Sequence, residues 1–298
     1  MQSQPDNEDN TATEDLQEIL SYRCSMTDAS MLVAAFTPKE IHKTLLSLPN
    51  GKVPGPDDYK KEFFVAVWPI VGRDLVTAIQ SFFQFDFLLT GVNSTILALI
   101  PKKTPAQTMK DFRLIACCNL IYKEISKLLS NRLKKILSSA IEPNQCAFIK
   151  RRLLMENICL ANEVVKGYHL SFTTDRSTVK FDLSKAFDTV MWGFIVSVLQ
   201  AIGLPELFIH WIHLCISTES FSAAINGELE GFFTSARGIR QGCSLSPYLY
   251  VILNNVLSRL LNKAAEDGVF GYHAKCKTVK LTHLSFVWEP KFTSSIFV

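Results

Sequence analysis

Apolar residues recur at helical spacing along most of this chain. The clearest stripe runs through Ile125, Leu128, Leu129, Leu133 and Leu137, and lysine and arginine residues stand between its members. Steps of three and four residues place side chains on one face of a helix, so this stripe predicts a helix over 121–141. The same reasoning predicts helices over 38–50, 63–70, 74–87, 153–166, 187–203, 208–216 and 247–265. Thr37, followed by Pro38 and Glu40, is the predicted N-cap of the first of them.

A period of two replaces the helical period in a few short segments. From Thr178, the apolar residues Val179 and Phe181 alternate with Lys180 and Asp182. This alternation predicts a strand with one apolar face and with Asp182 pointing away from that face. Further strands are expected over 94–100 and 279–286, and alternation around the Asn-Gly pair at 226–227 predicts a hairpin over 221–233.

Composition limits the class of protein. Of the 298 residues, 48% are hydrophobic and 20% are charged, which favours a mostly globular protein. The net charge of +3 does not by itself identify a nucleic-acid-binding protein. The eight cysteines follow no disulfide pattern and no signal peptide is visible, so a nuclear or cytoplasmic location is expected rather than secretion. No apolar stretch approaches the ~20 residues of a membrane span, so no membrane partner is expected.

Two segments carry the strongest chemical signal. FDLSKAF stands at 181–187 and RGIRQGCSLSP at 237–247. Upstream, LIPKK at 99–103 precedes DFRLIACCNLIYKEISKLLSNRLK at 111–134. Together these segments resemble the reverse transcriptase domain of LINE-like (non-LTR) retrotransposons of the plant type, and the resemblance extends over roughly residues 40 to 286.

The resemblance implies an α+β fold with the right-hand architecture of polymerases. A fingers region and part of a palm are expected, with an antiparallel palm sheet packed on helices and with the thumb missing. The implied organisation is a disordered acidic N-terminus at 1–15, a lead-in at 16–36, fingers at 37–177, palm at 178–286 and a divergent tail at 287–298. The abrupt end of the matching pattern suggests a truncated product, made by a frameshift or an aberrant splice in a decayed element.

The resemblance also assigns roles to individual residues. Asp182 would bind a divalent metal ion, Mg²⁺ or Mn²⁺, in a two-metal nucleotidyl transfer, although its position alone fits a strand-terminal aspartate that caps the next helix. Phe187 would stack under the incoming sugar and reject a 2′-hydroxyl. The other implied nucleotide-binding residues are Lys102, Arg113, Leu183, Ser184, Ala186, Gln241 and Gly242. The implied partners are an RNA template, a DNA primer and deoxynucleoside triphosphates.

The family pattern fails at one place. An aromatic residue, a small residue and two aspartates are expected, and the chain has Phe286, Val287, Trp288 and Glu289. Tryptophan does not bind metal ions, and Glu289 stands where the second carboxylate belongs. Loss of a metal-binding carboxylate removes charge neutralisation from phosphoryl transfer, so the sequence predicts a catalytically defective polymerase.

Two other classes of function compete with this interpretation. A non-catalytic remnant would hold a nucleic-acid backbone by its basic residues without turnover. The residues proposed for this are Lys102, Lys103, Lys134, Lys135, Lys150, Arg151 and Arg152. A zinc module would use His273, Cys276 and His283, but this set lacks a clear fourth ligand, so no zinc is expected.

Overall fold

The computed structural model describes residues 8–166, 168, 177–183, 185–288 and 291–297, and it has an α+β fold. The helices are α1 (Glu8–Ile19), α2 (Met26–Val33), α3 (Pro38–Ser47), α4 (Lys61–Ala66), α5 (Trp68–Phe85), α6 (Leu120–Ala140), α7 (Leu154–Val165), α8 (Trp192–Ala201), α9 (Glu206–Ser217) and α10 (Ser246–Glu266). The strands are β1 (Ser94–Pro101), β2 (Phe112–Cys118), β3 (Thr178–Leu183), β4 (Ser220–Ile225), β5 (Glu228–Thr234), β6 (His283–Trp288) and β7 (Lys291–Phe297).

The strands form two sheets. The first is mixed, in the order β2-β1-β4-β5, with β1 antiparallel to β2 and parallel to β4. The predicted hairpin is confirmed: β4 and β5 are antiparallel and joined by Asn226 and Gly227, both with positive φ. The second sheet has the order β3-β7-β6 and is antiparallel throughout.

Helix α6 is the centre of the core, and most of its circumference is buried. On it, the buried Arg132 bonds the carbonyl oxygen of Leu32 at 2.9 Å and pairs with Glu40 at 3.1 Å. Its guanidinium also lies over the ring of Phe36, 3.3 Å from the centroid. A buried guanidinium needs such partners, so these contacts fix α2 and the start of α3 against α6. Thr37 caps α3 as the sequence predicts, accepting a hydrogen bond from the Glu40 N–H.

Several element boundaries differ from the predictions. The helix expected from residue 187 begins at Trp192, because residues 185–189 form turns and the Phe187 carbonyl accepts a hydrogen bond from Ile239. The break between the two early helices falls at Val67, so 68–70 belong to α5. The last predicted strand begins at His283 instead of residue 279. In β3 the apolar face is not fully covered, since Val179 and Phe181 are both exposed.

Both ends of the described chain carry more structure than composition predicts. Helix α1 begins at Glu8, within the acidic segment expected to be disordered, and its Leu16 is buried in the core. Packing of such apolar side chains supplies stability that the local composition does not. At the other end, the backbone of the expected divergent tail forms β7, which lies between β3 and β6 and pairs with both.

Gly55 provides a first test of the fold. A Cβ atom there would overlap the side chain and backbone of Asn119 and would stand 2.5 Å from the carbonyl carbon of Cys118. Because backbone atoms cannot move away cheaply, Gly55→Ala should lower the free energy of unfolding by about 3 kcal/mol or more. Urea denaturation would measure this, with Gly91→Ala as control since a Cβ at Gly91 meets nothing within 4 Å. Equal stability of the two variants would contradict the packing described for this loop.

Candidate functional site

Two of the sequence motifs lie together in the structure. The turns that follow β3 are joined by hydrogen bonds to the segment that begins at 237. The Gly238 N–H donates to the carbonyl of Val190 at 2.7 Å, and the Ile239 N–H donates to the carbonyl of Phe187 at 2.9 Å. In return, the indole N–H of Trp192 donates to the Gly238 carbonyl at 2.7 Å. These bonds explain why residues 185–189 do not continue as a helix, and they join FDLSKAF to RGIRQG.

The same segment also docks on the edge strand β2. The Ala116 N–H donates to the carbonyl of Gln241 at 2.9 Å. Gly242 has φ +105°, and a Cβ there would stand 3.2 Å from the Ala116 carbonyl oxygen. Only glycine adopts this backbone conformation readily. The structure therefore shows a close approach of Gly242 to strand β2, while its expected contact with a nucleotide stays a prediction.

Ala186 lines an apolar groove, and Phe187 packs on Tyr250, another residue of its lining. Phe187 stacks on Tyr250 of α10, with ring centroids 5.3 Å apart and an interplanar angle of 28°. Ala186 and Tyr250, with Phe194 and Leu253, line a groove of about 360 Å³. Burial raises the pKa of Tyr250 to about 12, so the ring is neutral at physiological pH. The motifs did not single out Tyr250, which follows RGIRQGCSLSP by only three positions.

Lys102 and Arg113 lie at the loop end of the β1–β2 hairpin. Arg113 is opposite Ile100 in the ladder. The Lys102 N–H donates to the Asp111 carbonyl at 2.7 Å, and its Nζ donates to a neighbouring backbone carbonyl at 2.9 Å. Lys103 pairs with Asp111 at 2.9 Å, and this hydrogen-bonded ion pair, with backbone N–H groups, holds the pKa of Asp111 well below its usual range. The hairpin end therefore carries a cluster of cations.

Asp188 lies in the turns after β3 and packs against the 237–242 segment. Partial burial raises the pKa of Asp188, and the cations Lys185 and Lys102 oppose that rise. Lys102 is therefore near enough to act on this carboxyl group through its charge. A Cβ at Gly238 would lie 3.0 Å from the Asp188 carbonyl oxygen, so the 237–242 segment packs against the same residue. Asp188 therefore packs against the 237–242 segment and lies within electrostatic reach of Lys102.

Of the expected metal-binding residues, the structure describes only backbone. Asp182 lies in β3 opposite Thr293 of β7, and Thr293 lies opposite Phe286 of β6. The β6–β7 ladder ends with the pair formed by Trp288 and Lys291. The side chains of Asp182 and Leu183, and the whole of Ser184 and Glu289, lie outside the described residues. In the described part of the chain, no group of three or more His, Cys, Asp or Glu residues is arranged to hold a metal ion.

His283, considered as a zinc ligand, is buried among hydrogen-bonding side chains. Its Nε2 lies 2.9 Å from the hydroxyl of Ser258, and its Nδ1 lies 2.7 Å from the hydroxyl of Thr282. Burial lowers the pKa of His283 to about 4, so the ring is neutral. Both ring nitrogens are therefore engaged by protein groups.

The basic residues proposed to hold a nucleic acid separate into two kinds. Arg152 is half-buried, and its guanidinium donates to the carbonyls of Gln145 at 2.7 Å and Ile141 at 2.9 Å. It therefore secures the end of α6 and does not belong to a free basic surface, which corrects the prediction for this residue. Lys102 and Lys103 lie at the hairpin end. The remaining proposed residues are exposed, with Lys134 and Lys135 on α6 and Lys150 and Arg151 in the segment after it.

Comparison with known proteins agrees with these motifs. Residues 100–287 match the family model for reverse transcriptase (RNA-dependent DNA polymerase), which is more than half of the chain. The chain belongs to the reverse transcriptase family. It is 29% identical over 234 residues to an uncharacterized 149 kDa protein of a Xenopus laevis transposon, covering 78% of this chain and 18% of that protein. It is also 26% identical over 233 residues to a Pol polyprotein from a type-2 retrotransposable element of Drosophila melanogaster, covering 76% and 20%.

These relatives make the chain a reverse transcriptase domain of the non-LTR retrotransposon type. A further match, 41% identical over 63 residues, is to an uncharacterized mitochondrial protein of Arabidopsis thaliana, of which it covers 52%. The chain spans about a fifth of the length of the two longer relatives. Among the helices described here, none combines the length and the apolar character that a membrane span requires.

Proposed function

We propose that this reverse transcriptase domain binds a deoxynucleoside triphosphate and an RNA template with a DNA primer, but is defective in nucleotidyl transfer. The observation that supports binding is the meeting of the three motif segments, through the bonds from Gly238 and Ile239 and from Ala116 to Gln241. In this proposal residues 37–177 act as fingers and 178–286 as palm. Strands β3 and β6 correspond to the palm sheet, and β7 of the tail lies between them.

The proposed nucleotide lies beside Phe187, whose ring is supported by Tyr250 and rejects a 2′-hydroxyl. Lys102 and Arg113 face the triphosphate, whose negative charge needs nearby cations where water is excluded. The backbone of Leu183 and Ser184 lies near the phosphates, with Ala186 at the edge of the groove. Gln241 and Gly242 contact the nucleotide and the template base.

The proposed defect follows from the carboxylates of the chain. Reverse transcriptases generally use a divalent metal ion such as Mg²⁺, which prefers several hard oxygen ligands. The matching segments offer Asp182 and Glu289, and Trp288 stands at the position of the expected first aspartate of the pair. Two neighbouring metal ions need carboxylates that contact both of them. With Trp288 in place of an aspartate, this set of oxygen ligands does not fit two metal ions. Chemistry that depends on the second ion is therefore lost.

A direct test combines binding with primer extension. The domain should bind a fluorescent deoxynucleoside triphosphate in the presence of primer and template, and should extend the primer little or not at all with Mg²⁺ or Mn²⁺. Asp182→Ala is the control for extension, and Phe187→Ala is the control for binding. Extension by the wild type that Asp182→Ala abolishes would overturn the proposed defect, and the absence of nucleotide binding by a folded domain would overturn the proposed site.

A second candidate function is supported by the exposed cations Lys134, Lys135, Lys150 and Arg151. A domain that only holds nucleic acid would bind a primer–template without a nucleotide-dependent change. Its affinity would fall steeply as salt is raised, because bound cations are released from the phosphates. Reversing the charge of these four residues would weaken this binding, whereas Phe187→Ala would leave it unchanged.

A further inference from the structure

A buried charge lies directly behind the Gln241–Gly242 turn. Arg240 is only 4% exposed, and its Nε pairs with the carboxylate of Glu219, itself 2% exposed, at 2.8 Å. Nη1 donates to the hydroxyl of Thr95 at 2.9 Å, and Nη2 donates to the carbonyl of Cys215 at 2.8 Å. The guanidinium also lies over the ring of Tyr122, 3.7 Å from its centroid. Arg240 therefore links its own backbone to β1, α6, α9 and the residue that precedes β4.

This anchor determines where the next residue lies. Gln241 follows Arg240, is half-buried, and accepts its hydrogen bond from Ala116. β2 is an edge strand, and the Ala116 N–H points away from its partner β1 toward the turn. Gly242 then packs on the Ala116 carbonyl. The turn thus contacts β2 on one side, and on the other side the side chain of Arg240 bonds to groups in the core.

Stability alone does not account for this pair. Burying two charges has a large desolvation cost, and replacing a buried ion pair by apolar residues of similar volume is often neutral or stabilising. Burial raises the pKa of Glu219 to about 7, opposed by Arg240, which reflects that cost. The planar guanidinium instead fixes geometry, because its donors have fixed directions and bond to separate elements of the fold.

We propose that Arg240, with Glu219 as its counter-ion, is a positioning residue that holds the Gln241–Gly242 turn on strand β2. The functional consequence rests on the proposed nucleotide site, because that turn is the part of it that faces the nucleotide and the template base. The pair acts through the backbone of the turn and does not itself touch the substrate.

Hydrogen exchange of single amides in the full chain tests this directly. The double variant Arg240→Met with Glu219→Leu removes both charges and keeps the volume. We expect it to fold and the Ala116 amide to exchange about tenfold faster or more. The amides of Ile115 and Cys117 point to the opposite edge of β2, toward β1, and should remain within about twofold of wild type.

A matched control removes a different ion pair, between the buried Arg132 and the partly exposed Glu40, by Arg132→Met with Glu40→Leu, and should leave Ala116 exchange unchanged relative to its neighbours. Arg240→Lys keeps the positive charge but loses the planar guanidinium with its several donors. In this variant the Ala116 amide should exchange moderately faster than in wild type, which provides a test even if the double variant does not fold. Wild-type protection of Ala116 in Arg240→Lys or in the folded double variant would overturn the proposal. An equal rise at Ile115, Ala116 and Cys117 would also overturn it, because the pair would then serve the fold alone.

Nucleotide binding is measured on the same proteins as a separate readout. We expect the folded double variant to bind the fluorescent deoxynucleoside triphosphate about tenfold more weakly than the wild type. If the wild type binds no nucleotide, the proposed function fails while the exchange of Ala116 still decides the role of Arg240. If binding is unchanged although Ala116 is released, the turn has no part in the nucleotide site and the functional consequence is overturned.

Discussion

Introducing the missing carboxylate should restore nucleotide incorporation. The double substitution Trp288→Asp with Glu289→Asp supplies the Asp-Asp pair that the family pattern has at the end of β6. Backbone pairing supports this design, since β3 and β6 both pair with β7 and the register aligns Asp182 and Phe286 with the same residue, Thr293. The restored pair would therefore begin at the last residue of a strand that shares one short sheet with Asp182.

We expect at least about a hundredfold gain in the rate of single-nucleotide addition, because each ~1.4 kcal/mol of recovered transition-state stabilisation is tenfold in rate. The measurement is single-turnover extension with saturating primer–template and Mg²⁺. The matched control, Trp288→Asn with Glu289→Asp, has the same shape without the first charge and should gain far less. Adding Asp182→Ala to the active variant should abolish the gain.

Two results would contradict this explanation of the defect. Equal gains in the double variants that carry Trp288→Asp and Trp288→Asn would mean that removing the tryptophan ring, and not adding a carboxylate, relieves the block. No gain in a folded protein that binds primer–template would mean that the defect lies elsewhere in the domain. Circular dichroism and the binding assay, run beside the extension assay, distinguish these cases from failure to fold.

Local signals predicted the regular elements well, because each depended on residues close together in the chain. The apolar stripe of α6, the Thr37 cap and the Asn226–Gly227 hairpin are all decided by interactions within a few residues. The start of α8 was predicted too early for the opposite reason. Residues 185–189 have helical periodicity, but the carbonyls of Phe187 and the nearby Val190 accept hydrogen bonds from a segment about fifty residues away.

The candidate site was predictable in its motifs but not in its supports. The motif predicts that Gly242 contacts the nucleotide, which stays a prediction, whereas its packing on β2 is visible only in the folded chain. Tyr250 and Glu219 have no comparable local signal, since each acquires its role through a partner distant in sequence, Phe187 and Arg240 respectively. A buried charge is visible in a sequence only as another polar residue, so the pairing required the folded chain.

The second large effect concerns a carboxyl group in the core. Glu124 lies on α6 and is 0% exposed, and within the described part of the chain no cation pairs with it. Burial raises its pKa to about 8, opposed by the nearby backbone of Leu45. The folded protein therefore binds a proton at Glu124 more tightly than the unfolded chain does. Stability should fall as pH rises from about 4.5, the unfolded value, to about 8, because ionisation of this group favours unfolding over that window.

Glu124→Gln keeps the shape of the neutral side chain and removes its titration. At pH 8 the variant should be more stable than wild type by on the order of 3 kcal/mol, and at pH 4.5 the two should be nearly equal. Urea unfolding at both pH values measures the difference, and Glu228→Gln on the exposed strand β5 is the matched control with little effect at either. A stabilisation that is the same at both pH values would show that Glu124 is not buried in its neutral form, because a group ionised in both states contributes no slope.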